Sequence, residues 1–323
     1  MPGVTLVTGS AGHLGEAVVR TLRAAGRPVR GLDRLASPFT DVVGSITDPA
    51  VVERCMDGAG DVIHTATLHK PHVATHSRQD FVDTNITGTL TLLEAAVRAR
   101  VRAFLFTSTT SAFGDALTPP PGAPAAWITE DVVPVAKNIY GATKVAAEDL
   151  CQLAHRNQGL ACLVLRTSRF FPELDDDPVA SGGYADANLK ANEFLNRRLD
   201  LEDAVDAHLC ALERAPALGF GRYILSATTP LVPGDAELVR RDAPAAVSRR
   251  VPGWEAIYAR LGWRMAPSLD RVYDNARARA ELGWRPRHDF AAVLARARDT
   301  GDLRSPLARA IGAKSYHRDH DQR

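Results

Sequence analysis

Short apolar runs alternate with longer amphipathic stretches through the first two-thirds of the chain. Val4-Thr5-Leu6-Val7 precedes a helical pattern over residues 14–25, and Val29-Arg30-Gly31-Leu32 then closes on Asp33. Asp61-Val62-Ile63-His64 leads through a loop to a helical run over 85–98, followed by Ala103-Phe104-Leu105-Phe106-Thr107. A helix predicted over 140–155 runs into another apolar stretch at 160–165. Strands that alternate with helices predict a parallel sheet with crossover helices on both faces. The expected class is therefore α/β, a Rossmann-type doubly wound sheet.

Past Arg166 the pattern loosens. Phe171-Pro172, the Asp-rich run 175–178 and Gly182-Gly183 punctuate a loop-rich segment before a predicted helix at 201–214 and a strand at 223–226. From Pro230 the periodicity is weak, and from about residue 305 the chain reads as a poorly ordered polar tail. These shifts divide the chain into a dinucleotide-type unit over 1–172, completed by about 200–228, and a smaller substrate-binding part from 173–199 and 229–323. Leu-Gly-Trp-Arg occurs twice, at 261–264 and 282–285, which falls short of a repeat architecture.

Composition narrows the function classes. The 39 basic side chains nearly cancel the 38 acidic ones across 323 residues, so no clustered positive surface for nucleic acid is expected. No run approaches the ~18 apolar residues that span a bilayer, so no membrane partner is expected either. The start lacks the charged and apolar regions of a secretory leader. Cys55, Cys151, Cys162 and Cys210 are widely spaced without a C-x-x-C, which suits reduced thiols and a cytoplasmic location. Only Lys70, Lys137, Lys144, Lys190 and Lys314 supply amines, the remaining positive charge being Arg.

Thr8-Gly9-Ser10-Ala11-Gly12-His13-Leu14-Gly15 follows the first strand directly and opens the first helix. Strand, turn and helix in that order are what a dinucleotide diphosphate requires. Glycines let the backbone approach the phosphates, and the helix start offers unpaired N–H groups. Asp33 ends the second strand 18 residues after Gly15, near the expected place for a carboxylate on the adenosine ribose. That favours NAD over NADP, while the adjacent Arg34 leaves a 2′-phosphate open. Tyr140-Gly-Ala-Thr-Lys144 places a phenol and an ammonium on one helix face. A phenol with an ordinary pKa of about 10 needs a neighbouring cation to work near neutrality.

With these motifs the chain resembles the extended branch of the short-chain dehydrogenase/reductase superfamily, that of the NAD-dependent epimerases and dehydratases. The resemblance covers Val4 to roughly Ser226. It implies hydride transfer at a secondary alcohol or ketone, with Thr109, Tyr140 and Lys144 as catalytic residues. Counting back from Gly114 in the hydroxyl-rich run Thr107–Gly114 selects Thr109. The resemblance also implies cofactor contacts at Gly9, Gly12, His13, Leu14, Gly15, Asp33, Arg34, Ser45, Ile46 and Ala66, and again at Tyr140 and Lys144. Substrate contacts are expected at His69, Thr110, Arg169, Asn188 and Arg197. A homodimer through the helices near 85–98 and 140–155 is the family habit.

Departures from the family pattern sharpen the reading. Dehydratases carry an Asp-Glu pair after the catalytic Thr and related decarboxylases a Glu, whereas this chain has Thr110 and Ser111. Arg169 replaces the amide expected after the sixth strand, and the position of a common diphosphate-binding Arg is Asn196, beside Arg197 and Arg198. His64, His69, His72 and His76 crowd one segment without a consistent register, so no metal is expected there. The acidic run at 175–177 reads as solvated, Trp284 as packing, and His317 and His320 as part of the tail. The leading expectation is epimerisation of a sugar or nucleotide-sugar substrate with retained NAD. A net ketoreductase or dehydrogenase of a specialised metabolite is the alternative, and a non-catalytic dinucleotide-binding regulator is the reading from another class.

Overall fold

The computed structural model describes residues 3–172 and 183–314. Seven parallel strands form one sheet in the order β3-β2-β1-β4-β5-β7-β8. They are β1 (Val4–Thr8), β2 (Val29–Asp33), β3 (Val42–Val43), β4 (Ala59–His64), β5 (Ala103–Thr109), β7 (Cys162–Thr167) and β8 (Phe220–Leu225). The chain runs outward from β1 to β3 and then returns to β4 on the other side of β1. That reversal opens a crevice at the carboxyl ends of β1 and β4, where ligands bind in doubly wound sheets.

The strands are apolar almost throughout because both faces are covered. Leu6 and Val7 are neighbours in β1 yet belong to cores on opposite faces, as do Phe104 and Leu105 in β5. One face is covered by α1 (His13–Ala24) and a long helix at Leu201–Leu218, the other by α2 (Pro49–Met56), α4 (Gly88–Ala99) and α5 (Ile139–Gln158). A short α3 (Arg78–Phe81) passes through a π turn at Val82–Thr87 before α4. Asn138 starts α5 by accepting the Gly141 N–H at 3.0 Å, and Gly159 ends it in the left-handed region.

The remaining helices are α6 (Asp186–Glu193), α7 (Leu201–Leu218), α8 (Ala236–Arg241), α9 (Ala243–Arg250), α10 (Trp254–Leu261), α11 (Ala276–Leu282), α12 (Phe290–Thr300) and α13 (Pro306–Ile311). A third core gathers Val239, Val247, Tyr258, Val272, Phe290 and Leu294 from this region. It is stitched to the loop after β5 by a parallel pair, β6 (Ala126–Ile128) with β9 (Arg271–Tyr273). Trp284 is fully buried in the α1-side core, in keeping with a packing role.

Two regions differ from expectation. Residues 230–300 hold six helices or strands where little periodicity was visible. The stretch from Ser305, read as a polar tail, contributes α13, whose Ala308 and Ile311 are buried against α1 and α7. The acidic run 175–177 and His317 and His320 lie outside the described residues. Among the described residues, no helix is long and apolar enough to cross a membrane.

Candidate active site

The glycine turn is dictated by backbone crowding. Gly9 has φ +75°, and a Cβ there would lie 2.7 Å from the Ala66 nitrogen. A Cβ on Gly15 would lie 2.0 Å from the Gly9 carbonyl oxygen, so only glycine lets the start of α1 settle over the turn. Gly12 caps α1 without any side-chain hydrogen bond, which leaves the first N–H groups directed outward. Asp33 braces the turn, its Oδ2 accepting the Ala11 N–H at 2.9 Å and its Oδ1 the Leu35 N–H at 2.9 Å. A Cβ-free cradle with a carboxylate at the end of β2 fits a dinucleotide. Arg34 is exposed beside it.

Ala66, just past β4, closes the other side of the crevice against Gly9. Ser45 is half-buried and hydrogen-bonded to Thr47 at 2.7 Å. Ile46 has its side chain in the core against the start of α4, where a Cβ on Gly88 would meet it at 2.7 Å. Only its backbone is available to a ligand. His13 and Leu14 are buried in the first turn of α1.

Across the crevice, Thr109 ends β5 and Tyr140 and Lys144 look out from one face of α5. Thr109 and Tyr140 are brought together. Burial pushes the Tyr140 phenol up to about 12, with the hydrogen bond to Thr109 acting in the opposite direction. The Lys144 Nζ donates to the Thr107 carbonyl at 2.6 Å and sits 4.0 Å from the centre of the Phe106 ring. Burial pulls its ammonium down to about 7, opposed by Glu148 one turn further along α5. In this arrangement the lysine is turned to the β5 backbone, and the phenol answers to burial and to Thr109. Thr110 is buried beside them.

Glu148 had no place in the sequence reading, although its i+4 spacing from Lys144 was a signal that could have found it. It is 1% exposed and accepts from Ser108 Oγ at 2.6 Å, from Arg166 Nη2 at 2.7 Å and from Arg222 Nε at 3.3 Å. These bonds pin α5 to β5, β7 and β8, and so set where Tyr140 and Lys144 point.

The substrate candidates divide into two groups. Arg169, Arg197 and Arg198 converge on the buried Glu193 at 3.0, 2.9 and 2.7 Å. Burial alone would raise that carboxyl, but Arg198, Arg197 and Arg169 together hold it below its ordinary range. Since Thr167 pairs with Thr109 in the sheet, Arg169 emerges two residues beyond the hydroxyl site. Asn188 is placed otherwise. Its side chain exchanges hydrogen bonds with the Arg264 backbone at 2.8 and 2.9 Å, which makes it a brace between α6 and the α10 end. Asn196 likewise donates to the Arg271 carbonyl at 2.8 Å and holds β9.

His69 is buried near the mouth, stacked on Phe171 with ring centres 5.4 Å apart, while Phe171 meets His13 edge-on at 5.4 Å. Burial, with His72, His13 and Lys144 adding to it, pulls the His69 imidazole down to about 3. It is neutral at any working pH. Among the described residues, no three His, Cys, Asp or Glu side chains are arranged to hold a metal ion.

With the Rossmann crevice and the Thr–Tyr–Lys set in place, residues 5–222 match the NAD dependent epimerase/dehydratase family. The chain belongs to that family. It is an NAD-dependent enzyme of the extended short-chain dehydrogenase/reductase type, and NAD is its cofactor. It is 25% identical over 336 residues to a UDP-glucose 4-epimerase of Azospirillum brasilense, covering 88% of this chain and 87% of that one. It is 29% identical over 329 residues to a dTDP-glucose 4,6-dehydratase of Streptomyces antibioticus, covering 91% of each. A short-chain dehydrogenase/reductase superfamily protein from Agrobacterium tumefaciens with bound NAD shares the fold at TM-score 0.66 and 23% identity, over 92% of this chain and 96% of that one.

Proposed function

We propose that this family member epimerises a secondary alcohol of a nucleotide-linked sugar and retains its NAD between turnovers. The observation that carries the reading is the combination of a complete Thr109–Tyr140–Lys144 set with Thr110 and Ser111 in the next two positions. Neither neighbour can act as the carboxyl acid or base that elimination of water demands, which speaks against the dehydratase chemistry of one group of relatives.

When bound, NAD supplies acceptance of a hydride from the substrate carbon and its return to the opposite face of the resulting carbonyl. Gly9, Gly12 and Gly15 with the first N–H groups of α1 would hold its diphosphate, and Asp33 its adenosine ribose. Lys144 would hydrogen-bond the nicotinamide ribose. Tyr140 would take the hydroxyl proton only as phenolate, a form that the positive charge of bound NAD would favour against the opposing effect of burial, and would return the proton as the alcohol re-forms. Thr109 would hold the same oxygen in both states, so proton transfer needs no bulk water. The positive excess around Glu193 suits the diphosphate of the substrate. Exposed Leu90 and Leu153, each 40% exposed on α4 and α5, support a homodimer through those helices.

The test is incubation of purified protein with a panel of nucleotide-linked hexoses and pentoses without added cofactor. Proton NMR should show epimer formation while absorbance at the NADH band stays constant. Stoichiometric NADH formation would replace this reading with net oxidoreduction. Tyr140→Phe should lower turnover about 10²–10⁴-fold, and undiminished activity would remove the phenol from the mechanism.

A further inference from the structure

The lysine farthest along the chain reaches the glycine turn at its other end. Lys314 donates from Nζ to the Ala11 carbonyl at 2.5 Å and pairs with the Glu16 carboxylate, across 303 residues of sequence in the first contact. Its approach is built into the fold. Ser305 opens α13 and donates its N–H to Asp200 at 3.1 Å, and the helix lays Ala308 and Ile311 against α1 and α7. Gly312, with φ +67°, then turns the chain toward the start of α1.

Glu16 lies in the first turn of α1 and is only 7% exposed. A carboxylate in that position repels a diphosphate approaching the same helix end, and partial burial strengthens the effect. Arg20 pairs with one of its oxygens at 2.7 Å, and Lys314 takes the other. Two cations therefore face this one carboxylate. The Ala11 peptide is also gripped from both sides, its N–H by Asp33 at 2.9 Å and its carbonyl by Lys314.

We propose that Lys314 is a positioning residue for NAD, neutralising Glu16 so that the diphosphate can approach α1. The inference rests on the glycine turn being the NAD site. Equilibrium binding of NADH, followed by its fluorescence on full-length protein freed of dinucleotide, tests it without reference to any substrate. Lys314→Met should bind NADH about tenfold more weakly at low ionic strength, with the gap narrowing in high salt as charge is screened. Lys314→Arg should stay within about threefold of wild type, because it keeps the charge at similar reach. Adding Glu16→Gln to Lys314→Met should recover most of the loss, because the carboxylate that needed neutralising is gone.

Wild-type affinity in Lys314→Met would overturn the proposal, as would a loss that Glu16→Gln leaves unrepaired. Glu16→Gln alone, in a chain that keeps its lysine, should bind NADH more tightly, and weaker binding would count against the charge account. A wild-type protein that fails to bind NADH would instead overturn the placement of the NAD site.

Discussion

Two buried glutamates in this protein are each ringed by arginines, and they differ in what surrounds the ring. Glu148 is enclosed: Arg166 is 3% exposed in its side chain, Arg222 covers the remaining edge at 23%, and Ser108 completes the set. Glu193 is equally buried, yet two of its three partners reach solvent, Arg169 at 42% and Arg197 at 27%. The enclosed cluster spends its charge on holding helix to sheet. The open one keeps guanidinium donors at the surface. The same ion-pair chemistry thus fixes a helix on the sheet in one place and presents positive charge in the other.

The largest expected effect comes from breaking the enclosed cluster. Glu148→Ala strands the buried Arg166 guanidinium, while Arg222 keeps Asp149 and Gln152, and should lower unfolding free energy by about 3–5 kcal/mol, read from urea denaturation. A loss under ~1 kcal/mol would mean that water replaces the carboxylate. Glu193→Gln should cost less, about 1–3 kcal/mol, because Arg169 and Arg197 can turn to solvent and only Arg198 stays confined. It should also tighten binding of a nucleoside diphosphate, measured by calorimetry, since a negative charge is removed from the ring.

Titration separates the clusters at opposite ends of the pH scale. Lys144, next to the enclosed cluster, has its folded pKa pulled down to about 7 from 10.5. The unfolded chain therefore binds the extra proton between those values, and stability relative to Lys144→Met should rise across that window by up to ~1.4 kcal/mol per pH unit. Glu193 has its folded pKa lowered, so its contribution is present above the ordinary carboxyl range and fades as pH falls below it. The advantage of wild type over Glu193→Gln should shrink in acid denaturation series below about pH 4.5. Smallest in stability is Arg169→Asn, within about 0.5 kcal/mol, yet KM for a nucleotide-linked sugar should rise severalfold. An unchanged KM would show that the open cluster does not meet the substrate.

Legibility in the sequence followed burial and period. The strands β1, β2, β4, β5 and β7 were visible because both their faces are covered, which makes them continuous apolar runs. The three-residue β6 and β9 carry no period at all, and their pairing spans 145 positions, from Ala126 to Arg271. Helices α8, α9, α10 and α12 are rich in Arg and their apolar faces meet one another rather than the sheet, while the seven-residue α11 packs on β8 and α7. The glycine turn, Asp33, Tyr140 and Lys144 are candidates that local spacing proposes, and Thr109 is one that the family resemblance implies; the structure places Thr109 and Tyr140 together. The Glu193 ring could not be proposed in this way. Its geometry depends on Arg169 bridging to Arg198 across two separate segments, which no local pattern encodes. Asn188 shows what spacing does not reveal, since its Oδ1 and Nδ2 bond the Arg264 backbone 76 positions away.

The contact between Lys314 and Ala11 also bears on the order in which the molecule is assembled. The glycine turn is made some three hundred residues ahead of α13 and Lys314. During synthesis the sheet can collect α1, α2 and α4 early, but the outer side of α1 stays uncovered until α13 docks. A nascent chain halted before residue 305 would present that apolar stripe to chaperones while already possessing the glycine turn. The surroundings of the glycine turn are thereby completed only when α13 docks.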